Sequence, residues 1–259
     1  MIYIERTGVS TDAAPLVLYD NILLDGTVTA TTEATDAEVG NLLTDSTFDF
    51  WKPTTTSGTI SLALGTTATA SALGISGHDL GTQGATVVIK RGVTTLATIN
   101  PTDDSTIIAL FASGTDTAYS VEISGATAAP YISNLFLGVP LVFESGIIPS
   151  YTPLWMAEDV ELLMNESLGG QFFQNRVIRK SANTNVNLNI LDRTFIEGVD
   201  FQAFRRHFND GRTFFFAAGP SAFEDDGSFC RRSGDTLKPT FTNDGIFYQV
   251  GMNLEAFVG

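Results

Sequence analysis

Apolar and polar residues alternate along several short stretches of the chain. Ile60, Leu62 and Leu64 alternate with Thr59, Ser61 and Ala63, and Tyr119, Val121 and Ile123 repeat the pattern. A period of two places the apolar set on one face of a β-strand. Val87-Val88-Ile89, Leu96-Ala97-Thr98-Ile99 and Ile107-Ile108-Ala109-Leu110-Phe111 are denser runs and predict more fully buried strands. Gly81-Thr82-Gln83-Gly84, Arg91-Gly92 and Thr102-Asp103-Asp104-Ser105 separate them as turns. Short strands at regular spacing, rich in β-branched residues, predict an antiparallel sandwich or jelly roll. The helical stretch at 36–43 is too short to change the class.

Further along, Val186, Leu188 and Ile190 alternate with Asn185, Asn187 and Asn189, giving a core face and an asparagine row. Tyr248, Val250, Met252, Leu254 and Ala256 alternate in the same way. Between them Phe201, Phe204 and Phe208 fall at i, i+3 and i+7, one stripe of a helix. Asp200 near its start and Arg205 and Arg206 near its end match the helix dipole. Asn209-Asp210-Gly211 breaks the helix, and Thr213-Phe214-Phe215-Phe216 resumes as a strand. Val160-Glu161-Leu162-Leu163-Met164, then Gly169-Gly170 and 171–180, reads as a hairpin whose first arm is a strand or a helix. The pattern predicts a small sheet with a helix laid on it.

Composition divides the 259 residues. Of 33 threonines, 26 lie in residues 1–130, whereas 16 of 19 phenylalanines follow them. The Pro-marked stretch 146–153 lies near the shift and reads as a linker. The expected domains are 1–145, a β-sandwich, and 146–259, a β-rich assembly domain. The net charge of −15 argues against a general affinity for nucleic acid, whose phosphates require a positive surface. The apolar runs fall far short of the roughly 20 residues that span a bilayer, so no membrane insertion is expected. Met1-Ile2-Tyr3-Ile4-Glu5-Arg6 lacks the apolar run of a signal peptide, which predicts synthesis in the cytoplasm. A single Cys230 and two histidines exclude an internal disulfide and leave little for a metal centre, and no cofactor is expected.

The stretch from Tyr19-Asp20-Asn21-Ile22 to Thr27-Val28-Thr29-Ala30, then Asn41-Leu42-Leu43-Thr44-Asp45 and Phe48-Asp49-Phe50-Trp51-Lys52-Pro53, carries a family likeness. With Thr59-Ile60-Ser61-Leu62-Ala63-Leu64-Gly65, the Leu80-Gly81 turn and Ser133-Asn134-Leu135-Phe136-Leu137-Gly138, it resembles the galactose-binding-like (discoidin-like) β-sandwich over residues 15–140. That family mixes sugar binders, lipid binders and structural modules, so the likeness implies fold more than function. A Thr-rich sandwich joined to Asn165-Glu166-Ser167-Leu168-Gly169-Gly170-Gln171, a hairpin, a Phe-bearing helix and a final strand is similar to distal tail proteins of tailed bacteriophages. The order departs from the commoner pattern, with the sandwich first and the presumed ring domain second. This resemblance implies a virion building block: a homo-oligomeric ring at the tail tip or baseplate, with tail-tube and hub proteins as neighbours.

Catalysis is not expected. His78-Asp79 lies in a Gly-flanked turn where adjacent side chains rarely face one another, and Asp79 is expected to bond its own backbone. Glu224-Asp225-Asp226 lacks the regular oxygen spacing of a calcium loop and reads as a solvated acidic loop. Cys230 reads as a semi-buried thiol. Trp51 is the leading candidate for stacking on a sugar of a host-surface glycan, with Lys52 as a donor and His78 nearby. The alternative is that Phe48, Phe50 and Trp51 plug one end of the sandwich. Arg205, Arg206, Arg231 and Arg232 are candidates for an assembly interface, or are paired within the subunit. The expected function is a non-enzymatic tail-tip subunit; the alternatives are a stand-alone carbohydrate-binding module and a head-decorating protein.

Overall fold

A computed structural model describes residues 1–5, 13–148, 151–164, 166–242 and 245–258. Its strands are β1 (Ile2–Ile4), β2 (Leu16–Leu18), β3 (Gly26–Ala30), β4 (Gly58–His78), β5 (Thr86–Arg91), β6 (Thr94–Ile99), β7 (Ile107–Ser124), β8 (Ile132–Gly138), β9 (Leu141–Val142) and β10 (Glu158–Leu163). There follow β11 (Arg176–Leu191), helices α1 (Arg193–Glu197) and α2 (Val199–Asn209), then β12 (Phe214–Ala217), β13 (Gly227–Arg232), β14 (Thr240–Phe241) and β15 (Tyr248–Ala256). The expected mainly β class is what the chain adopts.

β4 and β7 run antiparallel along most of their lengths, with register shifts between Ala63 and Ala68 and between Ala70 and Ala72. β3, β5 and β6 extend one half of this pair, and β8 and β1 flank the other. Irregularities of this kind bend strands, and the two halves face each other as a sandwich. Ile60, Leu62 and Val87 of one half share a buried cluster with Leu73, Ile75, Leu135 and Leu137 of the other.

A second sheet has the order β10-β11-β15-β13-β12-β2-β9, with β14 beside β15. Period-two geometry stacks it on the sandwich. Ile108, Leu110 and Phe136 turn away from the sandwich core and meet Leu16, Leu18, Phe215, Ala217 and Phe229. The alternate residues Val17, Phe214, Phe216 and Cys230 face the other way, onto Phe201, Phe204 and Phe208 of α2. The molecule is therefore three β layers capped by helices. Gly74 makes the middle contact close: a Cβ there would lie 2.6 Å from the Phe215 ring.

This stacking departs from the expected arrangement. β2 and β9, both within residues 1–145, belong to the second sheet, pairing with β12 and with each other. Strand pairing therefore crosses the expected boundary at 145/146. The stretch 146–153 is no free linker where it is described: Ile147 bridges Leu188, the Ile148 N–H donates to the Asn187 carbonyl at 2.9 Å, and the Thr152 carbonyl accepts from Thr184 Oγ1 at 2.7 Å. Pro149, Ser150 and Asn165 lie outside the described residues. The runs read as separate strands at 107–111 and 119–123 are both parts of β7, and the arm 171–180 and the row at 185–190 both run into β11. Ile190 is a further correction. The β11–β15 register shifts after Leu188, Ile190 takes φ +59° and 62% exposure, and Leu191 fills the core position instead.

Candidate functional site

The residues expected to bind glycan are committed to the fold. Trp51 is 0% exposed: its backbone pairs with Ile132, its Nε1–H donates to the Thr32 carbonyl at 3.3 Å, and Gly58 leaves room for its ring. A buried ring has no face for a sugar, so the stacking role of Trp51 is overturned. The plug is Trp51 with half-buried Phe50, whose ring lies 5.4 Å from Tyr131; Phe48 is exposed. Lys52 is half-buried and its N–H donates to the Ala37 carbonyl.

His78 is buried, and its Nδ1 accepts from the Leu80 N–H at 3.3 Å. Nε2 therefore carries the proton and donates to the Ser105 carbonyl at 2.9 Å. Burial pushes the imidazole below its ordinary value of 6.5. Asp79 does not bond its local backbone as expected: its carboxylate accepts from the Tyr131 N–H at 2.8 Å and from Gln83 Nε2 at 3.0 Å, tying two loops together.

Of the four arginines, Arg205 is tied inward, its Nε donating to the Leu237 carbonyl at 3.2 Å. Arg231 pairs with Glu255 at 3.0 Å, and Arg179 pairs with the same carboxylate. Arg205 and Arg231 are thus paired within the subunit. Arg206 is exposed beside a cavity of about 250 Å³ that Tyr19, Asp20 and His207 also line. Burial raises Tyr19 to about 12 there. Arg232 is half-buried. Asp226 departs from the solvated-loop reading: it is buried, accepts the Leu154 N–H at 2.9 Å, and burial raises its carboxyl. Cys230 is fully buried rather than semi-buried, and burial pushes its thiol up, so it is poorly suited to act as a nucleophile. Among the described residues there is no cluster of three or more His, Cys, Asp or Glu able to hold a metal, and no helix is long and apolar enough to cross a membrane.

Two features remain. The first is an arm. β10 is an edge strand whose only strand partner among the described residues is the Arg176–Ala182 part of β11, and at the Glu161/Leu162 register shift Ile178 is the extra residue. Leu162, Leu163, Met164, Leu168, Phe172, Phe173, Val177 and Ile178 are all exposed, Phe172 to 89%. Glu166 bridges Phe172, and Gly170 turns the tip with φ +76°. The sequence reads this segment as a hairpin; what it leaves unread is the exposed apolar surface, signalled by Leu168 and Phe172-Phe173 around Gly169-Gly170, where a hairpin end ordinarily carries polar residues.

The second feature is a cleft of about 710 Å³ where the sandwich meets the second sheet. Ser76, Ser105, Ser133 and Ser228 supply hydroxyls, Asp104 and Glu158 supply carboxylates, and Tyr131 and the 64% exposed Trp155 supply aromatic walls. His78 lines it too, with its ring already bonded on both nitrogens.

No family model and no curated protein matches the chain. Among solved structures it is similar to chitosan-binding module 1 of a chitosanase/glucanase from Paenibacillus sp. IK-5, at 16% identity and TM-score 0.40, over 46% of this chain and 99% of that one. A Clostridium perfringens module in complex with GalNAc-β-1,3-galactose matches at 13% identity and TM-score 0.40, over 48% and 99%. A family 32 carbohydrate-binding module from the same organism, in complex with galactose, matches at 14% and 0.39, over 48% and 98%. The sandwich itself is defined by the pairing of β4 with β3, β7 and β8 and of β7 with β1 and β5.

Proposed function

We propose that the protein is a non-catalytic structural subunit that assembles with copies of itself through its arm. The observation that carries this reading is the exposed apolar hairpin. A two-stranded ribbon with no layer packed on it is marginally stable in water, and contiguous exposed apolar surface of this kind marks association sites. The assembly to which the sequence resemblance points is a ring at a phage tail tip, in the virion, between tail-tube and hub proteins. Ring closure by repeated heterologous contacts lets one short chain build a large wall. Light scattering on the purified chain tests the assembly, and mass spectrometry of purified particles tests the placement. A chain that stays monomeric at high concentration, or that is absent from particles, rejects the corresponding half of the reading.

A second reading, a carbohydrate-binding role, is favoured by the cleft at the layer junction. Trp155 and Tyr131 offer apolar faces to sugar C–H groups, beside hydroxyl and carboxylate partners. Glycan-array binding that Trp155→Ala abolishes supports it; binding unchanged by that substitution, or no binding, counts against it. The two readings are compatible, because a millimolar site worth only about 4 kcal/mol becomes useful when a ring repeats it.

A further inference from the structure

We infer that the cleft at the junction of the sandwich and the second sheet takes a sugar carrying a protonated amine. This rests on the carbohydrate reading and names the charge of its ligand. The cleft, about 710 Å³, has the volume of an ordinary small-molecule site. Its walls come from both layers: Ser133 lies on β8 with Tyr131 just before it, Trp155 in the short turn 154–156, and Asp225 in the loop before β13. The Ser133 side chain is 3% exposed, lines the cleft and has no hydrogen-bond partner among the described residues. Buried hydroxyls ordinarily find a partner, and an unpaired one costs stability. Here the cleft is where a hydroxyl of a bound sugar meets it.

Charge then selects among sugars. Asp104, Glu158 and Asp225 line the cleft, and among the described residues no Lys or Arg does. Glu158 is paired with Lys180 at 2.7 Å, and Asp104 accepts from the Thr82 N–H at 2.9 Å. The Met1 amine at the same cleft donates to the Thr106 carbonyl at 2.5 Å. His78 adds no charge, because its ring is bonded on both nitrogens in the neutral form. Three carboxylates against the Met1 amine and Lys180 leave the site negative. Asp225 is exposed and has no hydrogen-bond or ion-pair partner among the described residues. A sugar acid meets like charge there, a neutral sugar leaves Asp225 unanswered, and a protonated amine pairs with it. Trp155, 64% exposed, offers an indole face to the C–H groups of the sugar ring and favours the same positive charge.

Titration of the full chain with glucosamine, glucose and glucuronic acid, followed by ligand-observed NMR, tests the assignment. At about pH 6 the amine is protonated and the carboxylates are ionised. Glucosamine is expected to bind roughly 5-fold more tightly than glucose, the worth of one exposed ion pair, and glucuronic acid more weakly than either. Asp225→Asn is expected to erase the preference for glucosamine and leave glucose affinity unchanged, and about 0.5 M salt is expected to do the same. Ser133→Ala is expected to weaken all three roughly 5-fold, through one lost hydrogen bond, and Trp155→Ala to remove their binding. Circular dichroism checks that each variant stays folded. Equal affinity for glucosamine and glucose, or a preference that Asp225→Asn does not touch, overturns the charge assignment and leaves the carbohydrate reading standing. Binding that neither Ser133→Ala nor Trp155→Ala weakens overturns the cleft as the site. No binding of any of the three sugars overturns the inference and the carbohydrate reading together.

Discussion

Phe215→Ala tests whether the sandwich and the second sheet fold as one body. The ring is fully buried between layers, 4.8 Å from the Phe229 ring centroid and 5.3 Å from that of Phe136, and it rests on Gly74. Removing a buried phenylalanine costs about 3–5 kcal/mol. For a chain of this size each kcal/mol lowers Tm by about 2–4 °C, so the expected fall is about 6–20 °C. Trp51 sits in the sandwich core, remote from the substitution, and in a Trp155→Phe background its fluorescence reports the sandwich alone. Urea titrations followed by Trp51 and by far-ultraviolet circular dichroism are expected to shift together. A Trp51 midpoint that does not move while the rest of the molecule loosens would refute the shared layer and restore two domains on a linker. A thermodynamic cycle sharpens the test. Gly74→Ala alone is expected to cost about 1–3 kcal/mol through overpacking against the ring, and that cost is expected to disappear in Phe215→Ala, where the new methyl group has room.

Trp51→Ala is expected to cost about 3–5 kcal/mol of stability by denaturant titration and to leave any glycan affinity unchanged in the fraction that remains folded. Burial holds both histidines below 6.5, so the unfolded chain protonates first as pH falls. Their contribution is full above pH 6.5 and is lost as pH drops through that value toward the folded ones; the His78→Gln/His207→Gln difference curve against wild type is expected to show the step. Asp226 has the opposite sign: burial raises its carboxyl above 3.8, so the folded state takes the proton first and stability falls as pH rises from 3.8 through the folded value. Asp226→Asn, which keeps an oxygen for the Leu154 N–H, is expected to remove that fall, and a pH-independent difference from wild type would contradict the assignment.

The sequence by itself determined the longer strands and the main helix, because side-chain period is a local property, whereas β1, β2, β9, β13 and β14 were not legible in it. Val250, Met252, Leu254 and Ala256 are buried at every second position of β15, and Phe201, Phe204 and Phe208 bury one stripe of α2. The apolar run at 107–111 even announced a more fully buried strand, and 214–216 a strand. What covers them was not written locally. That Ile108 and Phe215 meet across a glycine follows from pairings between residues about 200 positions apart, such as Leu18 with Phe215, and no periodicity encodes such a partner. The same limit explains the sites. An aromatic residue looks alike in sequence whether its ring is sealed, as Trp51 is, or bare, as Trp155 is. Likewise Ile190 followed its strand's alternation until a register shift, set by β15, turned it outward. Composition and period decided the class of most elements; only long-range packing decided which apolar surfaces were buried in the core and which stay exposed.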